Sequence, residues 1–104
     1  AAAETVHGDP VVDAYMVNIV AGTRAHTQVE IGASPRGSLA LLKLSRARAA
    51  LANRDFVTPD DVKAVAPYAL AHRIILKPDP WIRGVRTSAV LQDVLNQTPV
   101  PKVP

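Results

Sequence analysis

The chain has 104 residues, 48% of them hydrophobic but only 4% aromatic, with no cysteine and a net charge of +3, which fits one domain whose core is packed from Val, Leu, Ile and Ala. The lack of cysteine excludes disulfides and Cys-ligated metals and fits a reducing, cytoplasmic setting, while so small a positive charge is far from a polybasic tract, so nucleic acid is not an expected partner. No run of about 18 apolar residues is present to cross a membrane, and the opening AAAETVHGDP, without Met or signal-peptide regions, reads as the cut end of a longer chain.

In chain order, Asp9 and Pro10 have the chemistry of a helix start, a capping carboxylate followed by a residue that needs no amide donor. Val12, Tyr15, Met16, Ile19 and Val20 then recur at the spacing of one helix face, with Asp13, Ala14 and Asn18 on the other side. Gly22 lies near the expected end, and residues 23–26 add a last turn. Residues 27–32 alternate polar and apolar and read as an extended connector.

Ser34 and Pro35 suit the N-cap and first position of a second helix, running to about Asn53. Its Leu and Ala content gives it high helix propensity, and an apolar arc including Leu41, Leu44, Ala49 and Ala52 makes it the expected central helix. Arg36, Lys43 and Arg54 fall on a narrow stripe opposite that arc. Asn53 suits a left-handed stop. Thr58 caps a third helix that Pro59 opens, with Asp60 and Asp61 where the helix dipole favours carboxylates. Val62, Val65, Ala66, Ala69 and Leu70 form its apolar face, and Pro67 predicts a kink or break. Pro78 and Pro80 mark a loop. A last helix over residues 87–97 carries Val90, Leu91, Val94 and Leu95 on one face, and residues 98–104 form a flexible proline-rich tail. The expected fold is therefore all-α, a small four-helix bundle in one domain over residues 1–104.

Motifs for catalysis are missing. No phosphate loop of the G-x-x-x-x-G-K-[ST] type occurs, His7, His26 and His72 lack metal-ligand spacing, Ser38 and Ser45 have no evident base, and adjacent Asp60 and Asp61 point in different directions on a helix. No catalytic or metal-ligating residue is assigned. Arg36 stands out. It sits in a first helical turn, where amides and dipole disfavour a cation but favour an anion, so helix start and guanidinium together suit a phosphate as well as a solvated surface suits the side chain. Arg24 and His26 read as an exposed helix end, His72 and Arg73 as cations closing the third helix, and Lys43 and Arg46 as a solvated face. Trp81 fits either a contact with another subunit or a ring capping the base of the bundle.

The string Gly32-Ala33-Ser34-Pro35-Arg36 resembles the sensor-two motif of the MoxR family of AAA+ ATPases. Further matches to that family's C-terminal lid lie on both sides of it: Tyr15 with Ile19, Val20, Thr23 and Arg24 before it, residues 56–62, Val65-Ala66-Pro67 and residues 70–74 after it. Gly37 departs from the Ala common in the family and Asn53 from its frequent Gly. The resemblance implies a helical lid, cut from an N-terminal ATP-binding core, within a ring that is usually hexameric. Its partners would be its own core, the neighbouring subunits and proteins with von Willebrand factor A domains, in chaperone-like assembly or maturation. It gives Arg36 the sensor-two role at the phosphates of ATP, with Ser34 and Pro35 building the helix start that aims it. ATP and Mg²⁺ would belong to the full-length ATP hydrolase, and this piece alone would be inactive and bind neither tightly. Two other readings stand beside it: the lid of a chelatase or helicase-type AAA+ protein, and a separate basic helical module binding DNA through the stripe from Arg36 to Arg54.

Overall fold

Four helices begin on a proline, where the missing amide costs nothing because first-turn amides have no intrahelical acceptor. The computed structural model describes residues 10–101. Among these, α1 (Pro10–Ala25), α2 (Pro35–Leu51), α3 (Pro59–Leu70), α4 (Pro78–Ile82) and α5 (Thr87–Gln97) are joined by a small sheet of β1 (Val29–Ile31) and β2 (Ile75–Leu76). The expected cap at Asp9, and His7, lie outside the described residues.

The four long helices match the four expected from the sequence. The chain is all-α in its bulk, with one short helix and one short sheet added. α1 buries Val12, Tyr15, Met16, Ile19, Val20 and Thr23, the face that the periodicity marked. α5 buries Val90, Leu91, Val94 and Leu95. α3 contributes Val62, Ala66, Ala69 and Leu70 and makes its most extensive contact with α2.

α2 is not the central helix. It buries only the strip Gly37, Leu41, Ser45 and Ala49, whose mostly small side chains let α3 approach closely. Leu44 is 40% exposed, Leu39 50% and Leu51 87%. An apolar residue alone does not show which way it faces, and the outer side of α2 is apolar without being covered. The more surrounded helix is α1, which touches α2, α3, α5 and β1.

The connector of residues 27–32 is extended as expected and becomes a strand. β1 pairs antiparallel with β2, Val29 opposite Leu76 and Ile31 opposite Ile75, with an irregularity between. Val29 and Leu76 turn inward while Ile31 and Ile75 stay exposed. The loop expected around Pro78 and Pro80 is instead the short α4, since both prolines fall in a first turn that uses no amides there. α3 runs through Pro67 without a break, ends at Leu70, and tightens into one 3₁₀ turn over Ala71–Arg73. The tail starts on an anchored residue: the Thr98 hydroxyl donates to the Val94 carbonyl at 2.7 Å. Residues 99–101 then line a groove of 460 Å³ against Pro10, Ala14 and Asn18 of α1.

Candidate functional site

The site is built around the start of α2. Ser34 takes extended angles (φ −87°, ψ 176°), and its carbonyl accepts the amides of Gly37 at 2.9 Å and Ser38 at 3.2 Å. It is the N-cap by backbone geometry, but its hydroxyl makes no capping bond. Pro35 is the first helical residue, and Arg36 follows in the first turn, fully on the surface. Among the described residues Arg36 has neither a hydrogen-bond nor an ion-pair partner. Its cation therefore stands at the positive end of a 17-residue helix without a local anion, a placement that favours an incoming one.

What fixes this helix start is α1. The amide of Ala33 donates to the Thr23 hydroxyl at 3.0 Å, and the Ala33 carbonyl accepts Nε–H of Arg24 at 2.9 Å. Gly32 lies against the Arg24 backbone, so closely that a Cβ there would come within 2.7 Å of the Arg24 N and Cα. Gly37 is packed between Ala33, Leu70 and Arg73, and Arg73 donates Nε–H to the Ala69 carbonyl at 3.1 Å. Arg73 thus caps the end of α3, as its position suggested. Arg24 is more than an exposed helix end, and His26 is not exposed at all in practice: its side chain is 9% exposed, with Nε2 2.7 Å from the Asp93 carboxylate of α5. The His26 Nδ1 accepts the Gln28 amide at 3.1 Å, which leaves the ring proton on Nε2, facing Asp93.

A 310 Å³ apolar groove runs between α1 and α2, lined by Met16, Val17, Leu39 and Leu42 with Asp13, Ser38 and Arg46. Arg46 is half-buried here rather than part of a solvated face, and its Nε is shielded from solvent. Lys43 is exposed, as expected.

Arg54 leaves the expected stripe. α2 ends at Leu51, Asn53 takes φ 59°, and the turn sends Arg54 to Asp61. There its two terminal nitrogens each sit 2.6 Å from a carboxylate oxygen. Arg48 adds a third contact at 2.6 Å, and the Thr58 amide a fourth at 2.8 Å. Asp61 is fully buried. Burial pushes its pKa up, but the hydrogen bonds from Arg54, Thr58 and Arg48 outweigh that and hold it far below the usual carboxylate range. Reading Asp60 and Asp61 as mere helix-start charges missed this. The signal was present as Thr-x-x-Asp at 58–61, a capping box, which the structure forms with both of its reciprocal bonds. Trp81 is 71% exposed and caps nothing.

Among the described residues the site holds a solvent-facing guanidinium on a fixed backbone and no general base. It can bind or polarise an anion but cannot by itself activate a nucleophile. The chain matches the AAA lid domain family over residues 21–94 and belongs to it. Its relatives place it in the MoxR-like branch. It is 40% identical to the YeaC protein of Bacillus subtilis over 94% of this chain, and 36% identical to the chaperone MoxR1 of Mycobacterium tuberculosis over 86%. A crystal structure from Cytophaga hutchinsonii, assigned as an ATPase, superposes with a TM-score of 0.92 at 28% identity over 97% of the chain. The chain spans 31% and 26% of those two relatives and 33% of the solved chain. No helix among the described residues is long and apolar enough to cross a membrane.

Proposed function

We propose that this domain is the lid of a cytoplasmic MoxR-type ATP hydrolase and that Arg36 is its sensor-two arginine. The observation that carries the reading is the state of Arg36: a solvent-facing cation at the start of α2, without a hydrogen-bond or ion-pair partner among the described residues, on a backbone fixed by α1. In the whole protein its guanidinium meets the γ-phosphate of ATP and stabilises the charge that spreads over the phosphoryl oxygens during transfer. Such a contact links nucleotide state to the angle between lid and core, because it forms only while the γ-phosphate is present. The core supplies the phosphate loop and the Mg²⁺ ligands, and the lid alone hydrolyses nothing. The likeness to a chaperone named MoxR1 supports a chaperone-like role, and the resemblance carried by residues 32–36 extends this to a ring with von Willebrand factor A domain proteins as partners.

The DNA-binding reading loses its basis, since Arg54 and Arg48 are spent on Asp61. The decisive experiment is Arg36→Ala in the full-length ATPase, with single-turnover hydrolysis and nucleotide affinity measured separately. A fall of about 100-fold in kcat is expected, the scale for losing one preorganised charge at a reacting centre, with Arg36→Lys recovering only part of it. Unchanged hydrolysis in a folded variant overturns the assignment.

A further inference from the structure

We infer that Thr23 and Arg24 are positioning residues for the Arg36 guanidinium, an inference that rests on the phosphate-facing reading of Arg36. Among the described residues Arg36 has no hydrogen-bond or ion-pair partner that would aim it, so its direction comes from the backbone that carries it. That backbone is not fixed in the usual local way, because the Ser34 hydroxyl makes no cap bond. It is fixed from α1. Both polar groups of the Ala33 peptide backbone are held, the amide by Thr23 at 3.0 Å and the carbonyl by Arg24 at 2.9 Å.

The Thr23 hydroxyl is itself directional. It donates to the Val20 carbonyl at 2.6 Å, which leaves its lone pairs for the Ala33 amide, and the residue is fully buried. The Gly32 contact with Arg24 closes the remaining freedom, since no side chain fits between them. From Ala33 to Arg36 there are only Ser34 and Pro35, and the proline ring fixes φ at its own position. Any displacement of Ala33 is therefore passed to Arg36 with little slack. Misplacing a reacting or stabilising group by about 1 Å costs up to about 100-fold in rate, so loss of one of these two bonds should be read out in turnover as well as in stability.

The test uses the full-length ATPase. Thr23→Val keeps the shape and removes the hydroxyl, Thr23→Ser keeps the hydroxyl, and Arg24→Ala removes the second bond from an exposed side chain that leaves the core intact. Thr23→Val and Arg24→Ala should each lower kcat about tenfold with KM for ATP nearly unchanged, while Thr23→Ser turns over as the parent does. Made in an Arg36→Ala background, the same two substitutions should lower kcat no further, because they act through that side chain. A merely structural role predicts lower melting temperatures but an unchanged kcat in the folded variants, or an equal fall in both backgrounds. Either result overturns the inference while leaving Arg36 in place. If Thr23→Val does not fold, Arg24→Ala carries the same comparison. If Arg36→Ala alone leaves kcat intact, the phosphate reading itself fails and the positioning role falls with it.

Discussion

At the scale of single residues, Asp61 shows how much one side chain can organise. It is buried, it closes the capping box of α3, and it ties down Arg48 from α2 and Arg54 from the turn. Removing its charge in Asp61→Asn leaves two guanidinium groups without their anion. The full cost of breaking a buried pair is about 3–5 kcal/mol, but the Arg48 and Arg54 side chains are 45% and 26% exposed and regain water, so about 2 kcal/mol is expected. Because its folded pKa is depressed, the Asp61 carboxylate contributes stability that is fully present above the unfolded value of about 4 and is lost as pH falls toward the folded value. Urea unfolding between about pH 5 and pH 2 should show the parent losing this contribution and Asp61→Asn losing correspondingly less. Parallel pH profiles for the two proteins would show that Asp61 is not the group responsible. Asn53 is the opposite case, a residue whose role was legible. Only Gly, Asn and Asp tolerate its left-handed angles well, and its φ is 59°.

Among the elements, the helices were legible wherever a cap and a 3.6-residue period agreed. The starts of α2 and α3 followed from Ser34-Pro35 and Thr58-Pro59, and α5 from its apolar stripe alone. α4 was not legible, because Pro78 and Pro80 punctuate loops and first helical turns alike. β2 was hidden for another reason: two residues carry no period, and its strand exists only because β1 lies beside it. The sidedness of α2 was misread because Leu and Ala mark both the packed strip and the uncovered face. That sidedness makes a sharp pair of outcomes. Leu41, fully buried, should cost about 2–5 kcal/mol as Leu41→Ala. Leu39, half exposed on the Arg36 side of the same helix, should cost less than about 0.5 kcal/mol as Leu39→Gln. Chemical denaturation of the 104-residue chain measures both, and comparable losses would place the packed strip of α2 elsewhere. The phosphate-facing role proposed for Arg36 rests on the motif at residues 32–36, whereas the Thr23 and Arg24 bonds to Ala33 span ten and nine residues and a change of element. No local spacing rule reaches that far.

Across the whole molecule, the end of α1 is where the separate parts meet. Thr23 and Arg24 hold the start of α2, the His26 carbonyl accepts the Val29 amide of β1 at 3.1 Å, and the His26 ring reaches Asp93 of α5. Gly22 brings α1 so near α5 that an added Cβ would come within 2.8 Å of the Val94 side chain. Residues from 22 to 33 thus bridge α5 on one side and the Arg36 turn on the other, and loosening one anchor should loosen the next. Asp93→Ala removes the α5 anchor. Since Asp93 is 49% exposed, the global cost should be small, about 0.5–1 kcal/mol. The larger effect should be local, in the hydrogen exchange of the Gln28 and Ala33 amides. Gln28 donates to the His26 ring that Asp93 orients, and Ala33 donates to Thr23 one turn back along α1. Faster exchange at both amides, with the α3 core unchanged, is the outcome for a bridge that moves as one body. Faster exchange at Gln28 alone would confine Asp93 to orienting the imidazole, and would leave Thr23 and Arg24 holding the Arg36 turn without help from α5.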